Sequence, residues 1–573
     1  MFHSESGDKM AKKIAIGIQN FGDIIKENYF YIDKTSFIKE WWESGDDVTL
    51  ITRPRRFGKT LNMSMLECFF SAEYGNRGDL FEGLSIWTEE KYQTLQGTYP
   101  VINLSFASIK EDNFYATKMK IYQIIVELYE KNYFLLESGT LKATEKTFFH
   151  SVCMEMPEYV ATSAISKLSS FLCRYYGKRV IILLDEYDTP MQEAYENGYW
   201  DELVAFTRSL FNSTFKANTD MERGIMTGIT RVSKESIFSD LNHLEVVTTT
   251  SNKYETAFGF TEEEVFQALE EFGLSKEKEE VKRWYNGFIF GEHTDIYNPW
   301  SILNFLEKKK YNTYWANTSS SKMISKLVRE ADTDIKELFE SLLKGERISC
   351  PVDEQIVYNE LSENEASIWS LLVASGYLKV VSYENMVLLD VSKDPLYELE
   401  LTNQEVYRIF YSMVRTWFQP AKKYYNQFLK AILAHDIEEM NEYMKKITLQ
   451  TFSYFDTGKG VSGEEPERFY HGFVLGLIAE LSEEYEITSN RESGFGRYDV
   501  MIVPKDSKKE AIIIEFKVHQ PKKESSLEET VQVALAQIEN KQYETTLLER
   551  GFLKEQIYKY GFAFRGKNVL IGE

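Results

Sequence analysis

The segment LITRPRRFGKT, residues 50–60, joins an apolar strand to a basic loop and the start of a helix. In a phosphate-binding loop, backbone N–H groups and the positive end of the following helix surround the phosphates. We expect Lys59 to reach the β- and γ-phosphate oxygens of a nucleotide and the Thr60 hydroxyl to bind Mg²⁺. Arg56 and Gly58 are the other nucleotide-binding residues that we predict in this loop.

A second apolar run, VIILL at residues 180–184, is followed by Asp185 and Glu186. A carboxylate at the tip of a parallel strand can hold Mg²⁺ beside a phosphate loop, and a following glutamate can activate the attacking water. We therefore predict that Asp185 binds the metal and nucleotide and that Glu186 is the catalytic base; a solvated acidic turn at the end of a core strand is the alternative. Arg231 follows a third apolar run, where many ATPases place a sensor of the γ-phosphate; an ordinary surface arginine is the alternative.

Two apolar segments near the C-terminus, about Tyr498–Val503 and Ala511–Val518, flank the polar turn PKDSKKE. Both have the composition of β-strands, and the turn between them is short enough for a hairpin. If the hairpin is centred on Ser507, the residue opposite Asp499 is Glu515. The sequence therefore predicts two carboxylates facing each other across a pair of strands.

Lys517 adds a positive charge to this pair. Because Glu515 and Lys517 are two residues apart, both side chains project from the same face of their strand. Two carboxylates that close repel each other unless a divalent cation neutralises them, and Mg²⁺ retains waters that can act as nucleophiles. We predict Asp499 and Glu515 as catalytic metal ligands, for Mg²⁺ or alternatively Mn²⁺. Lys517 would orient the water or stabilise the developing charge, and a plain hairpin is the alternative interpretation.

Length and composition restrict the class of protein. A chain of 573 residues, 43% of them hydrophobic, can form several folded domains. The formal net charge of −23 argues against a whole surface that grips nucleic acid, but it leaves room for a local basic groove. Four dispersed cysteines indicate neither a zinc site nor a disulfide framework. The polar N-terminus and the lack of long apolar runs predict a cytoplasmic chain with no signal peptide or membrane span.

The elements that must position these residues follow from the pattern of apolar runs. Short strands alternate with helices through about residue 250, which predicts a parallel sheet covered on both faces. Residues 260–350 have a helical pattern, and residues 367–406 have a helix–hairpin–helix order. This order fits either a winged-helix-like module or an ordinary α+β domain. The predicted divisions are an ATPase domain (14–260), a helical lid (261–350), a middle domain (351–450) and a C-terminal α/β domain (451–573).

Six blocks in the first half resemble the AAA-ATPase-like family of microbial proteins. They are YFYIDKTSFI, TRPRRFGKT, LLDEYDTPM, TGITRVSKESIFSDLN, FGFTEEEV and WYNGFIFG, and they occur in this order. In that family the phosphate loop also reads RPRRFGK followed by Ser or Thr. Arg53, which stands where the general P-loop pattern has glycine, is therefore normal for the family. The resemblance implies ATP binding more firmly than it implies fast hydrolysis.

The C-terminal constellation resembles the PD-(D/E)XK nuclease superfamily in the spacing of its two carboxylates and lysine. The segment SNRESGFGRYD resembles the approach to the first catalytic aspartate in the superfamily's family-9 group. A restriction-endonuclease-like fold is therefore expected. Residues of the flanking helices and turn supply further candidates: Glu480 as an extra ligand; Gln537, Lys541 and Tyr543 as nucleic-acid contacts or a solvated helix face; and Lys505, Lys508, Lys509, Lys517, Lys522 and Lys523 as local positive charge.

The preferred hypothesis is an ATP-regulated, Mg²⁺-dependent nuclease that acts on nucleic acid, with DNA favoured over RNA. The rival hypothesis is a nucleotide-dependent switch or oligomerisation platform, including a homo-oligomer, whose C-terminal domain binds nucleic acid or a protein partner without cleaving it. A third hypothesis is an ATP-hydrolysing motor that carries an inactive nuclease fold.

Overall fold

The structure is a computed structural model that describes residues 12–231, 238, 241, 243–315, 319–331, 333–353, 365–384, 396–417, 419–455, 465–493, 496–521, 523–565 and 567–573. Parts of four predicted features lie outside these residues: the end of TGITRVSKESIFSDLN, residues 385–395 of the helix–hairpin–helix segment, Gly494 and Phe495 of SNRESGFGRYD, and Lys522. Contacts divide the chain into two compact units, Met1–Thr318 with Ser349–Glu405, and Ser319–Ile348 with Val406–Glu573. The four-domain division stays a prediction.

A five-stranded parallel sheet forms the centre of the first unit, as the apolar runs predicted. Its strands are β1 (Val48–Thr52), β2 (Val101–Ser105), β3 (Val180–Asp185), β4 (Met221–Gly228) and β5 (Leu244–Val247). The order is β2-β3-β4-β1-β5, which puts the strand before the phosphate loop at the second position from one edge. Every residue of β1 and β3 is buried, because helices cover both faces of a parallel sheet.

Nine helices of the described chain precede or connect these strands. They are α1 (Phe21–Lys26), α2 (Ser36–Glu43), α3 (Lys59–Phe70), α4 (Glu90–Leu95), α5 (Phe114–Lys131), α6 (Ala143–Ser151), α7 (Glu158–Tyr176), α8 (Thr189–Asn197) and α9 (Trp200–Phe211). The helix α3 starts at the lysine of the predicted phosphate loop. The carboxyl ends of β1, β3 and β4 therefore meet next to the positive end of this helix.

The prediction of an all-helical segment after residue 260 was incomplete. Helices α10 (Glu262–Glu271), α11 (Lys278–Tyr285) and α12 (Pro299–Lys308) are present. They accompany a small antiparallel sheet of β6 (Phe260–Thr261), β8 (His293–Tyr297) and β7 (Phe288–Phe290), in that order. These strands have two to five residues, too few for an alternating pattern to stand out. Their formation depends on tertiary contacts such as Phe57 against the rings of β7.

The predicted helix–hairpin–helix order is present downstream. Helix α15 (Glu365–Ala374) precedes β10 (Leu378–Glu384) and β11 (Leu396–Leu401), and α16 (Gln404–Trp417) follows them. The hairpin pairs antiparallel, and β9 (Ile348–Pro351) completes a three-stranded sheet in the order β10-β11-β9. The choice between a winged-helix-like module and an ordinary α+β domain stays open.

The second unit has a mixed five-stranded sheet with flanking helices, as expected for the C-terminal domain. Its strands, in spatial order, are β12 (Tyr485–Ser493), β13 (Gly496–Pro504), β14 (Ala511–Val518), β15 (Ile557–Arg565) and β16 (Asn568–Gly572). Only β14 and β15 pair in parallel among the described strands of this sheet. The described helices are α13 (Ser319–Glu330), α14 (Thr333–Leu343), α16 from Val406 onward, α17 (Lys422–Leu433), α18 (Ile437–Phe455), α19 (Glu465–Leu481), α20 (Leu527–Lys541) and α21 (Thr545–Glu549).

The pairing of β13 with β14 confirms the predicted hairpin register. Val500 lies opposite Ile514, and Ile502 lies opposite Ile512, so the pairing is centred on Ser507. This register leads Asp499 to the position beside Glu515. Across the described residues, no helix combines the length and the apolar character needed to cross a membrane.

Candidate nucleotide site and candidate metal site

The loop between β1 and α3 contains two residues with positive φ, a backbone conformation that few residue types adopt readily. Gly58 has a φ of 85°, in the left-handed region, and Arg56 has a φ of 68°. Glycine adopts this conformation readily, whereas a residue with a side chain adopts it at a cost of roughly 1–2 kcal/mol. A Cβ at Gly58 would meet nothing within 4 Å, so the backbone angle rather than crowding explains the glycine.

Three of the residues predicted to bind nucleotide meet at this loop. The Lys59 ammonium donates to the carbonyl oxygens of Arg53, at 2.9 Å, and Pro54, at 3.0 Å. The Thr60 hydroxyl donates to Oδ2 of Asp185 at 2.7 Å. Lys59 and Asp185 are both buried. The side chains that would hold phosphate and Mg²⁺ therefore lie together, although their roles remain predictions.

Burial shifts the pKa values of Lys59 and Asp185 in opposite directions. It lowers the pKa of Lys59, and the nearby carboxylates Glu186, Asp185 and Asp188 oppose that change. Burial also raises the pKa of Asp185, against hydrogen bonds from Thr227 and Thr60. Neighbouring groups thus oppose the effect of burial on the pKa of both residues. A bound polyphosphate with its cation would add one more pair of complementary charges to this buried cluster.

Glu186, the predicted base, lies at the same strand tip. Its φ is 51°, an uncommon value for a residue with a side chain, and its carboxylate accepts a hydrogen bond from the Thr189 hydroxyl at 3.1 Å. Its backbone N–H donates to the Thr227 hydroxyl at 3.3 Å. Strained backbone held in this way is common at functional sites.

The position of the Arg53 side chain explains how this loop can have an arginine where the general pattern has glycine. Its side chain is buried and turns away from the loop, where it donates to the carbonyl oxygens of Thr248, at 2.5 Å, and Lys253, at 3.3 Å. The guanidinium carbon lies 4.6 Å from the centre of the Phe290 ring, a cation–π contact. Burial lowers the pKa of Arg53 to about 9. The departure from the general pattern therefore supports the loop and does not obstruct it.

Asp188 is a residue of this site that the sequence analysis did not single out. Its Oδ2 accepts hydrogen bonds from the backbone N–H of Ile229, at 2.9 Å, and of Thr230, at 3.0 Å. The Thr230 hydroxyl donates to the same oxygen at 3.0 Å. This buried carboxylate holds the segment after β4 that leads to Arg231. The second aspartate of LLDEYDTPM was the available signal.

The two predicted arginines are not part of the contacts that join Lys59, Thr60 and Asp185. Arg56 is exposed, and its guanidinium carbon lies 4.1 Å from the centre of the Trp300 ring. Arg231 is half-buried, three residues past the last residue of β4. Nucleotide binding by either arginine therefore stays a prediction.

In the second unit the hairpin brings the predicted catalytic residues together. The Phe516 backbone N–H donates to Oδ2 of Asp499 at 2.6 Å, which fixes this carboxylate beside β14. The Lys517 ammonium donates to Oε1 of Glu515 at 2.8 Å. The amide of Gln537, from α20, donates to the same oxygen. Glu515 is fully buried, whereas the Lys517 side chain is 29% exposed.

The electrostatics of this pair fit a divalent cation. Burial and the negative charge of Asp499 raise the pKa of Glu515 to about 7, against the opposing effect of Lys517. The second carboxylate oxygen, Oε2 of Glu515, is buried without a hydrogen-bond partner. Leaving such an oxygen unsatisfied is unfavourable, and a cation would satisfy it.

Asp499 and Glu515 would have to hold such a cation without a third side chain of the usual kinds. Within the described ranges, no group of three or more His, Cys, Asp or Glu side chains is gathered for a metal. Mg²⁺ commonly binds one or two carboxylates and completes its coordination with water and substrate phosphate. Glu480, the predicted extra ligand, forms an ion pair with Arg415 at 2.9 Å.

The predicted nucleic-acid contacts on and after α20 fall into two groups. The buried Tyr543 hydroxyl accepts a hydrogen bond from the Gln537 amide at 3.0 Å, so both residues orient Glu515. Lys541 is the last residue of α20 and is exposed. Contact of these three residues with nucleic acid stays a prediction.

The lysines of the hairpin turn do not surround the carboxylates, contrary to the expectation of local positive charge. At a rise of about 3.3 Å per residue, Lys505 lies roughly 20 Å along the strand from Asp499. Lys505 donates to the Ser482 carbonyl oxygen, and Lys509 pairs with Glu484. A hairpin places its turn and its open end far apart, which a count of nearby lysines in the sequence does not reveal.

We expect the affinity of the C-terminal site for Mn²⁺ to rise with pH up to about pH 7 and then to level off. The protonated Glu515 must release its proton before it can bind a cation, and its pKa is about 7. From pH 5.5 to 6.5 the affinity should increase by roughly eightfold. Calorimetric titration of the full chain at several pH values measures this change. An affinity that is constant from pH 5.5 to 7.5 would contradict it.

Comparisons with known proteins cover both sites. Residues 15–238 match a family model described as predicted AAA-ATPase. Residues 465–573 match a model of the PD-(D/E)XK nuclease superfamily. A protein of Azotobacter chroococcum mcd 1, described as an uncharacterized protein in the vnfD 5′ region, is 26% identical over 404 residues, which span 69% of this chain and 68% of that protein.

Proposed function

Because the chain joins an AAA-ATPase-like domain to a domain of the PD-(D/E)XK nuclease superfamily, we propose that it is an ATP-regulated, divalent-cation-dependent nuclease. Its proposed substrate is nucleic acid, DNA in preference to RNA, and the proposed cation is Mg²⁺ or Mn²⁺. The observation that carries the proposal is the buried, unpartnered oxygen of Glu515 beside Asp499 and Lys517.

Each residue of the C-terminal site has its own role in the proposed reaction. Asp499 and Glu515 hold the cation, which when bound polarises a phosphodiester and lowers the pKa of a coordinated water. Lys517 is close enough to Glu515 to hold a water beside it and to offset negative charge that develops on the phosphate. Gln537 keeps Glu515 in place from the side of α20.

The N-terminal residues provide the nucleotide site. Lys59 would exchange the loop carbonyls of Arg53 and Pro54 for phosphate oxygens. Thr60 and Asp185 would hold Mg²⁺, and Glu186 would activate water if ATP is hydrolysed. ATP can regulate the nuclease only if it binds one conformation of the protein more tightly than another.

One observation favours a second candidate, a nucleotide-dependent switch or scaffold whose C-terminal domain binds a partner without cleavage. Lys559 forms ion pairs with both Glu539 and Glu544. Lys509 is likewise paired, and the whole chain has a formal net charge of −23. Binding of a nucleic-acid backbone depends on positive charge that is available to phosphate.

A cleavage assay with the full chain tests the proposal. Plasmid DNA, linear DNA and RNA are incubated with the protein and Mg²⁺ or Mn²⁺, with and without ATP. We expect cleavage of DNA that requires the cation, disappears with a chelator and changes in rate when ATP is added. A protein that binds ATP and Mn²⁺ in calorimetry but cleaves none of these substrates would favour the switch or scaffold.

A further inference from the structure

The phosphate loop is held from outside by side chains that lie far beyond it in the sequence. The carbonyl oxygen of Arg55 accepts hydrogen bonds from the Asn298 amide, at 3.3 Å, and from the indole N–H of Trp315, at 3.1 Å. The next carbonyl but one, that of Phe57, accepts from the backbone N–H of Gly259 at 3.2 Å. These donors all follow residue 238, where the match to the ATPase family ends.

The peptide plane gives these hydrogen bonds a consequence for nucleotide binding. All described peptide bonds are trans, so the N–H of Arg56 points away from the side on which the Arg55 carbonyl is held. Loop N–H groups are the groups that bind phosphate. Because Arg56 has a φ of 68°, its conformation is disfavoured in an isolated loop and depends on external support.

A buried carboxylate ties the two outside donors together. Oε1 of Glu405 accepts from the backbone N–H of Trp315 at 2.8 Å, and its Oε2 accepts from the Ser301 hydroxyl at 2.7 Å. Ser301 lies in the first turn of α12, and its backbone N–H donates to the Asn298 side chain, the N-cap, at 3.1 Å. Glu405 is buried, and burial raises its pKa to about 7. A carboxylate in such surroundings persists because it is hydrogen-bonded.

We propose that Asn298, Trp315 and Glu405 form an outer clamp that positions the phosphate loop for its ligand. They are positioning residues, since they act on phosphate through the Arg55–Arg56 peptide. The inference rests on the proposed function in assuming that the loop binds nucleotide. It extends the nucleotide site to residues outside the matched 15–238 segment.

The test uses the full chain and compares Trp315→Phe with wild type. Phenylalanine keeps most of the ring packing but lacks the indole N–H, so one of the two hydrogen bonds to Arg55 is lost. Calorimetric titration with ATP and with tripolyphosphate should show roughly five- to tenfold weaker binding of both ligands. The two losses of affinity should be equal, because the clamp acts on the phosphate contacts that ATP and tripolyphosphate share and not on contacts with adenosine.

Trp284→Phe is the matched control. Trp284 is also buried, and its indole N–H donates to Glu280 at 2.9 Å, away from the loop. This variant should bind both ligands as wild type does. Asn298→Ser provides a second test, because serine keeps the N-cap of α12 but is too short to reach Arg55. Its affinity should fall in the same direction as that of Trp315→Phe.

The outcomes separate the clamp from general destabilisation. A purely structural role would lower the fraction of protein that binds, while the Kd of the folded molecules stayed unchanged. An unchanged Kd in both Trp315→Phe and Asn298→Ser would overturn the clamp. Failure of the proposed nucleotide site would show in the wild-type protein, which would then bind neither ATP nor tripolyphosphate. In that case the clamp would be wrong as well, because it would have no ligand to position the loop for.

Discussion

Replacing Lys59 with alanine is expected to weaken ATP binding by roughly 100- to 1000-fold. In the described structure, the Lys59 ammonium is the cation of the phosphate loop that lies among the carbonyl oxygens of Arg53 and Pro54. Charge-assisted hydrogen bonds to phosphate contribute about 1.5–3 kcal/mol each. The expected change, about 3–4 kcal/mol, corresponds to two such bonds at the lower end of this range, because Lys59 gives up two carbonyl partners when it binds phosphate. Calorimetry or equilibrium dialysis with radiolabelled ATP measures the loss.

Lys34→Met is the control that distinguishes a direct loss of ATP binding from a loss caused by misfolding. Lys34 is another buried lysine of the first unit, and its ammonium pairs with Glu264 at 2.7 Å. Burial lowers the pKa of Lys34, as it does for Lys59. Lys34→Met should therefore reduce thermal stability and leave the Kd for ATP unchanged. If Lys59→Ala binds ATP as tightly as wild type, the assignment of the phosphate loop is wrong.

Glu515→Gln is expected to abolish the C-terminal cation site and to lower nucleic-acid cleavage by at least about 1000-fold. The variant keeps the shape of the side chain but removes the charge that attracts the cation. A thousandfold loss corresponds to about 4 kcal/mol, within the several kcal/mol that a bound metal contributes by stabilising charge. Cleavage of DNA and calorimetric titration with Mn²⁺ are the two measurements.

The same substitution should raise the stability of the fold above pH 7. The folded-state pKa of Glu515 is about 7, above its ordinary value near 4.5, so the ionised carboxylate is less stable in the folded protein than in the unfolded chain. This penalty is absent when the group is protonated at low pH and grows as the pH rises towards 7, up to about 3 kcal/mol. Glutamine does not ionise. Higher stability together with lost cleavage excludes unfolding as the cause.

Lys517→Ala separates cation binding from catalysis. Asp499 and Glu515 remain, so Mn²⁺ should still bind while cleavage falls. Glu486→Gln is the control, because Glu486 lies on β12 of the same sheet in an exposed ion pair with Arg550 at 2.8 Å. That variant should cleave as wild type does. Equal cleavage by wild type, Glu515→Gln and Lys517→Ala would refute the proposed nuclease chemistry.

The hairpin of β13 and β14 shows how far local rules of sequence extend. A short turn between two strands with apolar runs sets the register, and the alternation of side chains then puts Glu515 and Lys517 on one face. The same reasoning predicted the strand before Lys59 and the strand before Asp185. These features depend on patterns within one strand or one short hairpin, so the sequence alone predicts them.

The features that the sequence analysis missed all depend on distant residues. Arg53 faces Thr248 and Lys253, and Asp188 holds the segment that starts at Ile229. The strand β7 forms against Phe57, more than two hundred residues away. No period in the local sequence encodes such contacts, because they arise only when separate elements pack together.

The order of residues along the chain is enough to predict which side chains are available for phosphate and metal chemistry and which strand or helix carries each of them. Periodicity and spacing suffice for this, since they act within single elements. The chemical state of those side chains depends instead on how the elements pack. Burial next to Asp499 raises the pKa of Glu515, and Asn298 and Trp315 fix the Arg55 carbonyl. Burial and long-range hydrogen bonds are properties of the packed chain, so they appear only once its elements have come together.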